Sequence, residues 1–368
     1  MRFYVPTDIY VEKDCVKRHA KELLAVGRRA LIVTGHSSAK ANGSLNDVTE
    51  VLKAGEIPFQ VFNEVEENPS TDTVRKATQA AREFKADYVI GIGGGSAIDA
   101  AKAVALLLVN PDVDADDLHK MPGHPLDHAP VVAVPTTCGT GSEATPVSII
   151  TNHKINLKKS IPHVIFPALA LVDGKYLASA KKQLIVNTAV DALAHMVESI
   201  LNVKSNLFNR MCPEYGLRLW GECKGALLSE KAVDENLYEK LMFTSTIAGM
   251  SIAQTSTAVP HGMSYDLTLH QGVPHGPAVG YFLAAYVEVC AKFVPGDVEK
   301  ILSLLGLQNI SEFAAMIRNL IGTCTTTREK REQFAKAMKV NRSKLDLVPG
   351  NISAEDIDYI YEKSLIVG

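Results

Sequence analysis

The chain has 368 residues, 46% hydrophobic and 21% charged, the make-up of an ordinary soluble globular protein with length for about two domains. Its 38 Lys and Arg against 41 Asp and Glu leave a net charge of −3, which argues against a generally nucleic-acid-binding surface. Mean hydropathy is only +0.05, and no apolar run approaches the roughly 20 residues of a membrane span.

At the N-terminus Pro6 and Asp8 interrupt any signal-peptide core, so export by that route is not expected. The six cysteines (Cys15, Cys138, Cys212, Cys223, Cys290 and Cys324) form no C-x-x-C pair. Scattered through a chain this long, they read as reduced thiols of a cytoplasmic protein. Short β-branched runs predict strands over 29–34, 59–62, 88–92 and 131–134, with helical stretches at 46–54, 70–84 and 96–109 between them. That alternation predicts βαβ units and a largely parallel sheet, an α/β domain. From about residue 180 helical spacing takes over, at 186–201, 209–228, 235–255, 278–293 and 310–321, which predicts an all-α second half. The expected domains are 1–178 and 179–368, and residues 323–330 read as a loop.

Two glycine-bearing segments follow predicted strands. In Gly91-Ile92-Gly93-Gly94-Gly95-Ser96, consecutive glycines let backbone approach a pyrophosphate, and the next helix supplies free N–H groups and a positive dipole end. A tight turn capped by Ser96, with Asp99 completing a capping box, explains the same residues. The second segment is residues 135–143, with Thr136, Thr137, Thr140 and Ser142 around Gly139 and Gly141. Loops at the carboxyl ends of strands are where open α/β sheets bind ligands.

Asp191 and His195 stand four residues apart in a helical stretch, so both side chains reach one point. They suit half of a divalent-metal site. Alternatively, Asp191 closes a capping box with Thr188, and His195 is a core histidine. His261, His270 and His275 fall within fifteen residues of a chain that has only 11 histidines, and His275 lies on a loop or at a helix start.

The chain resembles the iron-containing alcohol dehydrogenase family over nearly its whole length. The likeness rests on residues 4–10 (YVPTDIY), Glu67-Asn68-Pro69, GIGGGSAIDAAK at 91–102, PTTCGTGSE at 135–143, Asp173, DALAHMVES at 191–199, His261 and Pro274-His275-Gly276. It implies a Rossmann-like parallel-sheet domain, a C-terminal helical domain, and an active site in the cleft between them. The implied metal ligands are Asp191, His195, His261 and His275, for Fe²⁺ or Zn²⁺. His270 is left out of this set. The implied cofactor-binding set is Gly35, Ser37, Ser38, Lys40, Asn68, Gly93, Gly94, Gly95, Ser96, Thr136, Thr137, Thr140, Ser142 and Lys159.

Three positions depart from the family pattern. Tyr265 stands where many relatives have a further histidine, so it is the candidate proton relay, or else a wall of the pocket. Cys138 replaces a common alanine, and Gly174 follows Asp173 in place of proline. NAD-preferring relatives close the first strand with an Asp; here that position is Gly35, followed by His36, Ser37, Ser38 and Lys40. Without that acid, and with hydroxyls and a cation nearby, the loop suits a 2′-phosphate, so NADP is expected over NAD.

The expected activity is hydride transfer between NADP(H) and a small alcohol or aldehyde, with a metal polarising the oxygen. Related families on this architecture offer alternatives: a dehydroquinate-synthase-like lyase or a glycerol-dehydrogenase-like polyol oxidoreductase. A silent binding protein that kept the fold is a further one. A homodimer through the N-terminal edge segment is also expected.

Overall fold

The computed structural model describes residues 1–121 and 123–368. The chain packs as two compact units. One comprises Val5–Ala180 with Glu235–Gly249; the other comprises Met1–Tyr4, Lys181–Asp234 and Met250–Gly368.

The first unit is built on six parallel strands. In chain order its strands are β1 (Asp8–Val11), β2 (Ala30–Gly35), β3 (Phe59–Val65), β4 (Tyr88–Gly93), β5 (Val131–Pro135), the antiparallel pair β6 (Ile149–Asn152) and β7 (Leu157–Ser160), and β8 (Leu169–Val172). The large sheet runs β1-β8-β5-β4-β2-β3, with every neighbouring pair parallel. Its central strands are buried along nearly their whole length, as the apolar runs YVIGIG, VVAVP and LALV require of a sheet covered on both faces. The edge strands β1 and β3 are half exposed. The four sequence-derived strands are all present, β2 shifted by one residue and β3, β4 and β5 extended at their ends. β8 and the β6–β7 pair were not anticipated. β8 is only four residues long and becomes a strand through partners on both sides, β1 and β5.

This order fixes where a ligand can sit. From β2 the chain passes to β3 on one side, then returns across to β4 on the other. The carboxyl ends of β2 and β4 therefore flank the switch point of the sheet, the usual crevice for a ligand.

The second unit is helical, with its long helices at Lys182–Ile200, Met211–Leu228, Val259–Gln271, His275–Cys290 and Ile310–Ile321. Trp220, fully buried, donates its indole N–H to Ala189 O at 2.7 Å and ties the second of these helices to the first. The unit is not purely helical. Residues 323–330, expected as a loop, contain β9 (Cys324–Thr326), which pairs in parallel with β10 (Leu365–Val367). Cys324 and Thr326 turn inward and Thr325 outward, the period of two that makes a half-buried strand. Among the described residues no helix is long and apolar enough to cross a membrane.

Candidate active site

The helix Lys182–Ile200 starts early enough that Thr188 lies within it, not at its cap. Thr188 Oγ1 donates to Leu184 O at 3.0 Å, which removes the capping-box alternative for Asp191. Asp191, His195 and Glu198 then share one face, four and three residues apart. Val259–Gln271 carries His261, and His275 is the first residue of its own helix. Gly276 allows that helix to start where it does. A Cβ there would stand 1.9 Å from Asn187 O, so a side chain would push the start of the helix off its neighbour.

These helices aim three imidazoles at one oxygen. Asp191 Oδ1 lies 3.7 Å from His195 Nε2, 3.4 Å from His261 Nε2 and 3.7 Å from His275 Nε2. The His195 and His261 rings stack with centroids 4.6 Å apart. Asp191, His195 and His261 are buried, whereas the His275 side chain is 28% exposed. Asp191 Oδ1 and His261 Nε2 are buried atoms without a hydrogen-bond partner. Such atoms ordinarily pair, and a cation between them satisfies both.

The Asp191–imidazole separations fit that cation, and the ligand atoms of Asp191, His261 and His275 also lie within 4.8 Å of one another. Tetrahedral bonds of about 2.1 Å put neighbouring ligand atoms about 3.4 Å apart. The donor set of three nitrogens and one oxygen, without sulfur, suits Fe²⁺ or Zn²⁺.

Burial works against the Asp191 charge, yet the facing histidines hold its carboxyl well below the usual carboxylate range. For His261 burial lowers the proton affinity, but Glu198 and Asp191 overrule it and raise the pKa to about 9. Glu198 is the residue that the sequence reading missed. It is fully buried; Oε1 lies 2.5 Å from His261 Nδ1, and Oε2 accepts from the Ala258 N–H. Holding the proton on Nδ1 turns the Nε2 lone pair toward Asp191. Glu198 stood in the DALAHMVES run, seven residues from Asp191, but nothing in the sequence pairs it with His261.

His270 stands apart from this set. It faces Asp266 at 3.9 Å and stacks on Phe334. The Tyr265 ring lies nearly parallel to His275, with centroids 6.3 Å apart, and Lys344 Nζ is 6.0 Å from its centre.

In the sheet unit, most of the proposed cofactor residues lie on loops that follow the adjacent strands β2, β4 and β5, whereas Asn68 follows β3 and Lys159 lies on β7. Helix Gly95–Val109 has Gly94 as N-cap and no side-chain cap, so the Ser96–Asp99 capping box does not form. Ser96 Oγ instead accepts from the Asn68 N–H at 3.2 Å, which ties Asn68 to the glycine loop. Gly93 has φ +151, a conformation that favours glycine. Gly94 and Gly95 are needed for packing as well. Cβ atoms there would meet Thr137 Oγ1 at 3.0 Å and Thr140 Cγ2 at 2.7 Å. Thr136 N donates to Gly93 O at 2.9 Å, which locks the loops together.

The Ser142 hydroxyl, expected as a cofactor contact, is engaged within the protein. That hydroxyl donates to Asp99 Oδ1 at 2.6 Å and receives Lys102 Nζ at 2.8 Å, in a buried network. Lys159 lies exposed on β7, opposite Ile150 of β6. Beyond β2, Gly35 is followed by exposed His36, Ser37, Ser38 and Lys40. The next acid, Asp47, is occupied: it accepts from Tyr176 OH at 2.9 Å and pairs with Lys175 at 2.8 Å and Lys17 at 3.3 Å.

Comparison with known proteins gives a consistent picture. A family model described as iron-containing alcohol dehydrogenase matches residues 6–174, and one for the C-terminal part of the Fe-containing alcohol dehydrogenase family matches 185–364. An NADPH-dependent butanol dehydrogenase from Clostridium saccharobutylicum is 29% identical over 327 residues, 87% of this chain and 82% of that one. The crystal structure of an iron-containing alcohol dehydrogenase from Thermotoga maritima superposes with a TM-score of 0.90 at 34% identity, covering 99% of both chains. Another iron-containing alcohol dehydrogenase superposes with a TM-score of 0.91 at 35% identity, covering 99% of this chain and 98% of that one. The chain belongs to the iron-containing alcohol dehydrogenase family of oxidoreductases.

Proposed function

We propose that this chain interconverts a small alcohol and its aldehyde with NADP(H), at a divalent-metal centre held by Asp191, His195, His261 and His275. The observation that carries the reading is the convergence of three imidazole Nε2 atoms within 3.7 Å of the buried Asp191 Oδ1. A divalent ion held there supplies Lewis acidity toward an alcohol or carbonyl oxygen, and the nicotinamide carries the hydride. Asp191 gives the site its charge, and Glu198 orients His261. His275, the most exposed of the four, borders solvent and the approach of substrate. Tyr265, beside His275, is the candidate wall or proton relay.

The cofactor residues are Gly93, Gly94, Gly95, Ser96, Asn68, Thr136, Thr137, Thr140 and Lys159, with Gly35, Ser37, Ser38 and Lys40 at the adenine end. Two features support NADP. Gly35 leaves the end of β2 without an acid, and Asp47 is held by Lys175, Lys17 and Tyr176. A hydrogen bond to a charged group contributes about 1.5–3 kcal/mol. Tenfold in affinity is about 1.4 kcal/mol, so a preference of roughly ten- to a hundredfold follows. The name of the Clostridium saccharobutylicum relative points the same way. Among the described residues the edge strand β1 pairs only with β8, in keeping with a homodimer built along its other edge.

A panel of alcohols and aldehydes, run with NADPH and NADH on iron-loaded protein, tests the reading. Steady-state oxidation of NADPH with an aldehyde is expected. Substrate turnover without net cofactor consumption refutes it in favour of a lyase that regenerates its cofactor.

A further inference from the structure

Lys102 is a buried cation that the proposed chemistry does not use. It lies two turns into helix Gly95–Val109, with no side-chain exposure. Its Nζ stands 2.7 Å from Ser142 O, 2.9 Å from Thr145 O and 2.7 Å from Val147 O. Two hydroxyls complete the shell, Ser142 Oγ at 2.8 Å and Thr145 Oγ1 at 3.4 Å. An ammonium has three protons to share among these oxygens. Carbonyls turned inward around one positive charge are what a chain offers a dehydrated monovalent cation. Without a charge at that point, the same carbonyls would be buried and unpaired, which is costly.

Asp99 completes the arrangement. It lies 3.9 Å from Lys102 Nζ, accepts from Ser142 Oγ, and accepts from the Ile149 N–H at 2.8 Å. The helix opened by the glycine loop therefore grips residues 142–149 by a cation and a carboxylate one turn apart. This grip sets the loop just before it. Ser142 N donates to Thr140 Oγ1 at 3.3 Å, and Thr140 and Thr137 lie against Gly95 and Gly94 at the start of the helix.

We propose that Lys102 is a positioning residue for cofactor binding, a built-in substitute for a bound monovalent cation that holds the threonine loop against the glycine loop. The inference rests on the reading that these two loops hold NADP(H).

Truncation to alanine removes a propylammonium ion, so Lys102→Ala refolded with and without propylammonium chloride is the direct test. NADPH affinity is read by fluorescence titration, with metal content as the control. Without the amine the NADPH dissociation constant is expected to rise at least tenfold at unchanged metal content, and the amine is expected to recover most of that loss. Lys102→Met keeps the volume without the charge; it should lose affinity similarly and ignore the amine. Wild-type affinity in either variant overturns the inference, and so does a loss in Lys102→Ala that the amine does not touch. The underlying cofactor reading fails separately, if the wild-type protein itself does not bind NADPH.

Discussion

Glu198→Gln isolates a carboxylate that touches a proposed metal ligand without being one. Both its oxygens are acceptors, from His261 Nδ1–H and from the Ala258 N–H. A glutamine has only one acceptor end. If its oxygen faces His261, its NH₂ opposes the Ala258 N–H; if it turns over, it opposes His261 Nδ1–H. One buried donor is therefore left without a partner in either pose, at a site with no exposure for water to repair. Losing a hydrogen bond to a charged group costs about 1.5–3 kcal/mol, and replacing an outer partner of a ligating histidine typically costs 10–100-fold in metal affinity. The two figures agree, since 100-fold is about 2.7 kcal/mol. Competition with a chromogenic chelator, read as the apparent dissociation constant for Zn²⁺ and for Fe²⁺, measures it without relying on turnover. A folded Glu198→Gln protein that binds metal within threefold of wild type refutes the assignment of Glu198 as the residue that orients His261.

Four further outcomes follow from the same geometry. His261→Ala should lose most bound metal and nearly all turnover, measured by metal analysis of the purified protein, whereas His270→Ala should keep both. Gly35→Asp should swing the ratio of kcat/KM toward NADH by at least tenfold; a Cβ there meets nothing nearer than Val65 O at 3.4 Å, so the fold should tolerate it. Asp47, its side chain 11% exposed, has a carboxyl that burial would raise but that Lys175 and Tyr176 hold below its ordinary range. The unfolded state then binds more protons, so the contribution is complete above about pH 4 and is lost as pH falls through the folded value. Asp47→Asn should thus cost roughly 2 kcal/mol at pH 7 and progressively less in acid, as read by urea melts at both pH values. Tyr265→Phe separates its two roles: a changed pH profile of kcat indicates a relay, and an unchanged rate and profile make it a wall.

What the sequence made legible was local. The runs at β2, β4 and β5 are apolar and end in glycine or proline, and their strands lie where that pattern puts them. The four-residue step from Asp191 to His195 survives as geometry because a helix enforces it. What stayed hidden depends on distant partners. β8 is four residues long, and its place in the sheet comes from β1 and β5. Glu198 meets a histidine 63 positions away. Ser142 looked like one more hydroxyl of a polar loop until Lys102 and Asp99, some forty residues earlier, closed on it. The glycine run had a physical reason that the motif did not contain: Gly94 and Gly95 make room for Thr137 and Thr140.

The two buried charge clusters differ in how they are completed, and that difference separates scaffold from site. Around Lys102 the chain supplies its own cation, with Asp99 beside it and Ser142, Thr145 and Val147 turned toward it. Around Asp191 the chain supplies two carboxylates, Asp191 and Glu198, and three imidazoles. With the imidazoles neutral, as ligation requires, that group carries two negative charges, which one divalent ion cancels. Buried charges persist only where they are paired. The first cluster is therefore complete from its own sequence, whereas the second has the charge and the donors that the proposed dication would complete.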